Sequence, residues 1–288
     1  MKTLREYIKW AEEKKVAIGH FNVSDSEGFN AVTDVSKELE VPVIIGVSEK
    51  ERGFLGVAEI RVLVQMEQER GNPIFLNADH TYSVEASKEA VDNNFDAVII
   101  DGAEKPFVEN VMMTKEVVNY AKQHPQTDGD AILIEGELGF IGIGSKLLDE
   151  IPEGVSEETQ TKPEDAEMFV KETGVDLFAP SVGNIHGLVR TGNPKLNIKR
   201  IKEIRKVVGV PLVLHGGSGI SDEDMVQSID AGISIIHINT ELRSAYRKGL
   251  EHGLASSDEL APYKFMAEGV EEMKKVVENK LKLFNKLG

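Results

Sequence analysis

The sequence contains no cysteine. Disulfide bonds, thiolate nucleophiles and Cys-ligated zinc are therefore excluded, and any metal must be held by His, Asp or Glu. Positive charge is also short: 33 Lys and Arg stand against 49 Asp and Glu, a formal net charge of −16. A surface of that sign repels a phosphate backbone unless it carries a concentrated basic patch, so no nucleic-acid partner is expected. The one basic-leaning stretch, the C-terminal MKKVVENKLKLFNKLG, has helical spacing and reads as a solvated amphipathic face rather than a membrane anchor. No apolar run approaches the roughly 18 residues that a membrane span needs. The opening MKTLREYIKWAEEKKVAIG carries charge throughout and lacks the apolar centre of a signal peptide. No membrane partner is expected, and the cytoplasm is the expected location.

What is present is an alternation. Short β-branched or apolar runs read as strands at 16–23, 42–48, 74–80, 97–101, 131–137, 176–182, 211–215 and 234–239. Between them lie helix-patterned segments such as SVEASKEAVDNN, FVENVMMTKEVVNYAKQH, KPEDAEMFVKETG and LNIKRIKEIRKVVG. Each crossover between parallel strands needs a helix, so the pattern predicts an α/β protein with a parallel sheet. Eight such units match a (β/α)8 TIM barrel. The main competitor, an open doubly wound sheet, lacks its most direct sign, a G-x-G-x-x-G after the first strand. Glycine and proline are spread along the chain and no 20–50 residue repeat stands out. Residues 1–288 therefore read as a single barrel domain with a C-terminal helical extension.

Barrel enzymes work at the C-terminal ends of their strands. Those ends collect Asn22, Ser48, Asp79 with His80, Asp101, Glu135 with Glu137, His186, His215, and His237 with Asn239. Taken singly, each could be a loop cap or a hydrogen-bonded core residue. Together they point to a reaction centre. His80, His186 and His215 could form a three-imidazole metal site with an open fourth position, the pattern of a catalytic Zn²⁺ acting as a Lewis acid. Glu137 could complete that environment, or Asp101 could serve as the partner orienting a ligating His. His124 and His252 read as surface residues.

In the third strand, the period of two separates Ile74, Leu76 and Ala78 from Phe75, Asn77 and Asp79. The apolar set suits the helix-packed outside. Asp79 then points inward as a candidate general acid/base, with His80 at the rim facing the opposite way. After the seventh strand, HGGSGISDED places Gly216, Gly217 and Gly219 before a helix start at Ser221. Such a turn supplies N–H groups for an anion, and barrels often hold phosphate after strands seven and eight; a plain tight turn is the other reading. A Schiff-base mechanism would need a lysine inside the barrel, and none of the predicted strands has one. The residues thus describe a metal-dependent barrel enzyme acting on a phosphorylated carbonyl compound.

The segments AIGHFNV, PVIIGVSE, LNADHTYS, AVIIDGAEKPFVENVMMTKEVV, IEGELGFIG, TKPEDAEMFVKETGVDLFAPSVGNIHG, LVLHGGSGI and INTELR follow one another from residue 17 to residue 243. In that order they resemble the class II, metal-dependent fructose-bisphosphate and tagatose-bisphosphate aldolases. The resemblance implies a barrel, a homodimer or homotetramer, and reversible cleavage of a ketose bisphosphate to dihydroxyacetone phosphate and an aldehyde. It places zinc on His80, His186 and His215, proton transfer on Asp79, and acidic residues around the metal at Asp101 and Glu137. It assigns the ketone-side phosphate to Gly187, Gly216, Ser218, Asn239 and Thr240, where a monovalent cation (Na⁺ or K⁺) often helps. Asn22 and Ser48 match substrate-contacting positions. Three features depart from the family. FIGIGSKLLDEIPEG replaces the usual loop bearing the second acid, with Asp149 and Glu150 the nearest acids. His237 replaces an Asn, and could polarise substrate, act as the missing acid/base, or substitute for a hydrogen bonder. LAPYKF replaces a downstream Asp-Pro-Arg that often serves the distal phosphate, leaving Lys264 as a substitute.

Overall fold

The computed structural model describes residues 2–125, 131–142, 144, 146–152, 155–190, 192 and 194–287. Its strands are β1 (Ile18–Asn22), β2 (Val43–Ser48), β3 (Ile74–Thr81), β4 (Ala97–Ile100), β5 (Leu133–Leu138), β6 (Leu147–Leu148), β7 (Leu177–Pro180), β8 (Leu188–Val189), β9 (Leu212–Leu214) and β10 (Ile233–Ile238). Its helices are α1 (Leu4–Lys14), α2 (Ser26–Leu39), α3 (Glu49–Leu55), α4 (Val57–Glu69), α5 (Val84–Asp92), α6 (Phe107–Gln123), α7 (Pro163–Thr173), α8 (Ile198–Val208), α9 (Asp222–Ala231), α10 (Thr240–Ser256), α11 (Pro262–Phe265) and α12 (Ala267–Asn285). All the strands except β6 and β8 close into one barrel in the order β1-β10-β9-β7-β5-β4-β3-β2. The barrel pairs are parallel, and the predicted alternation is borne out. The two-residue strands β6 and β8, too short to register as a periodic pattern, pair with each other beyond β5 and β7.

The pleat sorts side chains as the alternation requires. Ile74, Leu76 and Ala78 belong to the large cluster shared by the outer faces of the strands and the helices. Phe75 belongs to a separate cluster with Ile18, Ile44, Ala97, Leu133, Leu177, Val213 and Ile235, the apolar floor inside the barrel. Helix α1 closes that floor from below with Leu4, Ile8 and Ala11, and is started by a capping box between Thr3 and Glu6. Burying a side chain such as Phe75, 2% exposed, contributes about 2–3 kcal/mol.

The C-terminal stretch is more than a solvated face. Helix α12 packs on α2, α10 and β1 and buries Met273, Val277, Leu281 and Phe284. Among the described residues no helix is long and apolar enough to cross a membrane.

Candidate active site

Above the apolar floor, the barrel interior turns polar. His20, Asn77, Glu135, His215 and His237 are buried there, with Asp79 and Glu137 also buried toward the mouth. His80 does not face the opposite way from Asp79, as an extended strand would dictate. Its φ is +36°, and the β3–β4 register shifts between Ala78 and Thr81. The left-handed residue breaks the pleat and turns both side chains of the pair toward the mouth.

His80, His186 and His215, from the end of β3, the loop after β7 and the end of β9, bring ring nitrogens within 4.8 Å of one another. Each ring commits one nitrogen to a protein acceptor. His80 donates from Nδ1 to Asp101 (2.8 Å), His186 from Nδ1 to the Gly142 carbonyl (3.1 Å), and His215 from Nε2 to Glu135 (2.7 Å). These acceptors fix the tautomers and leave Nε2 of His80, Nε2 of His186 and Nδ1 of His215 as the remaining donors. That is the arrangement in which histidines hold a metal. His215 Nδ1 and Glu137 Oε2, 3.3 Å apart, are both buried without a hydrogen bond, as expected for atoms that share a cation. Asp101 is thus the orienting partner of His80, also accepting from the Ala103 N–H (3.1 Å), while Glu137 stands beside two of the imidazoles. Glu135, to which the strand-end reading gave no role, orients His215.

The electrostatics fit a cation. Burial works against charge on His80, but Asp79, the Asp101 hydrogen bond and Glu137 outweigh it and raise its pKa to about 9. Burial opposes charge on His215 too, yet Glu137 and Glu135 raise it well above the ordinary value. His186, buried beside those two imidazoles, is lowered to about 3. Asp79 is held well below the usual carboxylate range: burial opposes ionisation, but His80 and His237 dominate. Burial and Asp101 raise Glu137. Without metal, then, protons occupy part of the site and a divalent ion would displace them.

Asp79 sits where the reactive groups meet. Its Oδ2 accepts from Asn22 Nδ2 (2.8 Å), and its Oδ1, which has no hydrogen bond, lies 3.5 Å from His237 Nδ1 and 3.8 Å from His80 Nε2. Asn22 also donates to Glu51 (3.1 Å), and Ser48 donates its hydroxyl to the same carboxylate (2.7 Å), so both substrate-contact candidates are already tied to acidic residues. Glu51 is completed by Arg243.

One residue escaped the sequence reading. His20 is fully buried, lies face to face on His237 with centroids 3.5 Å apart at 5°, and His237 in turn stacks on His215 at 4.2 Å and 22°. Burial lowers His20 to about 4, so it is a neutral ring. The period of two from Ile18 through His20 to Asn22 marks it as inward, and that signal was available. Nitrogens of His20 and His237 and an oxygen of Asp79 are close enough to suggest a second metal. The stack argues against one: parallel rings aim their lone pairs along separate planes, and an ion in one plane lies off the other.

The phosphate candidates form a second group. Gly216 has φ +61°, and a Cβ there would stand 2.1 Å from the Ile185 carbonyl, so the turn packs on the segment that leads to His186 and Gly187. Gly187, at φ +112°, lies against Lys146. Ser218 Oγ accepts from the N–H groups of Asn239 (3.4 Å) and Glu241 (3.1 Å), tying the turn to the start of α10, whose first residue is Thr240. Ser221 caps α9 as predicted. The substitutes for the family's missing groups are not gathered in: Asp149 is 92% exposed and paired with Arg190, Glu150 is exposed, and Lys264 pairs with Glu259 on the exposed α11. Of that replaced loop, Ile143, Ser145, Glu153 and Gly154 lie outside the described residues. His124 and His252 lie at the surface, as expected.

The family described as Fructose-bisphosphate aldolase class-II matches residues 2–288. The chain is 35% identical over 291 residues to a fructose-bisphosphate aldolase of Geobacillus stearothermophilus, covering 99% of this chain and 97% of that protein. It is also 35% identical to a probable fructose-bisphosphate aldolase of Bacillus subtilis (strain 168), covering 98% and 96%. Among solved structures, the YdjI aldolase from Escherichia coli K12 superposes with a TM-score of 0.82 at 32% identity, over 98% of this chain and 96% of that one. With a barrel-mouth His cluster, an inward Asp and a match along nearly its whole length, the chain belongs to the class II fructose-bisphosphate aldolase family, the metal-dependent carbon–carbon lyases.

Proposed function

We propose that the protein is a zinc-dependent ketose-bisphosphate aldolase that cleaves fructose 1,6-bisphosphate reversibly to dihydroxyacetone phosphate and glyceraldehyde 3-phosphate. The observation that carries this reading is the convergence of three uncommitted imidazole nitrogens near a buried Asp79 carboxylate. The free donors of His80, His186 and His215 would hold the zinc, which when bound supplies Lewis-acid stabilisation of charge developing on the substrate oxygens.

In cleavage, Asp79 accepts the proton of the C4 hydroxyl, the C3–C4 bond breaks, the aldehyde leaves and C3 of the remaining enediolate takes up a proton. In condensation the steps reverse. Asn22 holds Asp79 Oδ2, so Oδ1 is the oxygen open to the proton. His237 faces that same oxygen and is kept neutral by burial and by His20, so it positions Asp79 and stands as the second group within reach for proton exchange. The Gly216–Ser218 turn, Gly187, Asn239 and Thr240 would take the ketone-side phosphate. Asn239 Oδ1, buried and without a partner, suits a Na⁺ or K⁺ ion beside it.

A second reading keeps the metal, Asp79 and one phosphate site but takes the tagatose epimer as substrate, releases a different aldehyde, or carries out a non-aldol isomerisation. An aldehyde without a distal phosphate is favoured by Lys264 being paired to Glu259 and by Ser48 donating to Glu51, which commits both of these candidates within the protein. A catalytically degenerate sugar-phosphate-binding barrel is disfavoured by the intact histidine set and Asp79. The barrel and its C-terminal helices acting as one domain, assembly as a homodimer or homotetramer through exposed apolar groups such as Phe54 and Tyr263, and a cytoplasmic location complete the proposal.

Coupled assays of fructose 1,6-bisphosphate and tagatose 1,6-bisphosphate cleavage, with and without chelator, test these readings. Cleavage of the fructose epimer that is lost on chelation and restored by zinc is expected. Cleavage of neither compound by the zinc-loaded protein would overturn the proposal, and cleavage indifferent to chelation would overturn the metal mechanism.

A further inference from the structure

Lys280 is a lysine of the C-terminal helix α12 that is only 9% exposed, set among the buried Val277, Leu281 and Phe284. A buried ammonium needs a partner, and its Nζ lies 3.0 Å from Glu241 Oε2 in the first turn of α10. The other oxygen of Glu241 accepts from the Gly219 N–H at 2.6 Å. Gly219 follows Ser218, whose Oγ accepts from the N–H groups of Asn239 and Glu241. The tie is reciprocal: the turn after β9 caps α10, and α10 holds the turn. With both lone pairs of Ser218 Oγ occupied, the one group it can offer outward is its hydrogen, and it can act toward a ligand only as a donor.

This arrangement contains an opposition of charge. The carboxylate that fixes the turn lies next to the groups assigned to the phosphate dianion, and left uncompensated it would repel that ligand. Lys280 supplies the compensation from beneath.

We propose that Lys280 is a positioning residue for the phosphate cradle. It neutralises Glu241 and holds it in place, so that the carboxylate can fix Gly219 and orient Ser218 without repelling the phosphate. The proposal rests on the assignment of the ketone-side phosphate to Gly216, Ser218, Asn239 and Thr240. It adds two residues to that site, neither of which contacts the substrate.

The test measures binding of dihydroxyacetone phosphate to the metal-loaded protein by calorimetry, with dihydroxyacetone as the control lacking the phosphate. Lys280→Met keeps the apolar stem and removes the charge. It should weaken dihydroxyacetone phosphate about tenfold, the order expected for one nearby charge at an effective dielectric near 20, and leave dihydroxyacetone unchanged. Glu241→Gln keeps a hydrogen-bond acceptor and unmasks Lys280, so it should tighten dihydroxyacetone phosphate several-fold. The double variant should return close to the parent value. Opposite signs in the two single variants are the signature, because a merely structural role would weaken binding in both. The proposal is overturned if both weaken binding, if folded Lys280→Met binds as the parent does, or if the double variant is no better than Lys280→Met. If Lys280→Met does not fold, Glu241→Gln decides by its sign. A parent protein that binds dihydroxyacetone phosphate no better than dihydroxyacetone would sink the phosphate assignment itself. Binding without any cleavage would sink the aldolase reading and leave this inference standing.

Discussion

Asp79 and His80 are adjacent in the chain, yet both side chains enter the barrel mouth, with His80 Nε2 3.8 Å from Asp79 Oδ1. A regular strand would have separated them. The positive φ at His80 reverses the alternation for one residue, so a candidate proton acceptor and a metal-ligand candidate stand side by side on consecutive positions. The Asp101 hydrogen bond then turns His80 Nδ1 away from the centre of the site.

Removing Asp79 should separate metal binding from proton transfer. Asp79→Ala is expected to bind zinc in the parent stoichiometry while losing about 10²–10⁴-fold in cleavage rate, the range for a general acid/base. Metal analysis and steady-state kinetics on the same preparation check this. An unimpaired rate would assign the proton to another group.

His237 lies between two imidazoles and faces Asp79. His237→Asn should lower kcat about tenfold or more with little change in KM, since what is lost is control of the carboxylate rather than substrate binding. A parent-like kcat would show that the imidazole merely replaces a hydrogen bonder.

Glu135 fixes His215 by accepting from its Nε2. Glu135→Gln offers a weaker, neutral acceptor, and zinc affinity should fall about ten- to hundredfold, measured by competition with a chelating dye. Unchanged affinity would show that His215 does not need this partner to present Nδ1.

Metal uptake should depend on pH in a definite direction. In the metal-free protein His80 is protonated below about 9, and His215 is also raised. A metal needs bare nitrogens, so zinc binding at neutral pH should release about two protons, and apparent affinity should fall as pH falls. Calorimetry in buffers of different ionisation enthalpy counts the protons. A count of zero would mean that the imidazoles are already neutral.

The His20 stack should have a measurable packing cost. A Cβ at Gly46 would stand 2.0 Å from the His20 ring. Gly46→Ala should therefore destabilise the fold by about 1–3 kcal/mol in denaturant unfolding, and His20→Ala in the same chain should recover much of that loss by making room. If the double variant is as unstable as the sum of the single ones, the ring is not what Gly46 accommodates.

Particular residues show how much was legible. The alternation from Ile18 to Asn22 and from Ile74 to Asp79 is local, and each side chain's face follows from the pleat, so the barrel and the inward Asp79 could be read directly. The sequence alone also brought His80, His186, His215 and Asp79 to one end of the barrel, because strand ends are set by local pattern and a closed parallel sheet puts them all on one side. Four things needed the tertiary structure: the left-handed turn at His80, the partition of Asp101 and Glu135 as orienting partners, the His20–His237–His215 stack, and the Lys280–Glu241 tie. Each depends on the distance between groups 21 to 217 residues apart in the chain, or on a backbone angle that a neighbouring strand imposes. A periodic pattern fixes which face a side chain occupies; only the closed barrel fixes which other side chain it meets there.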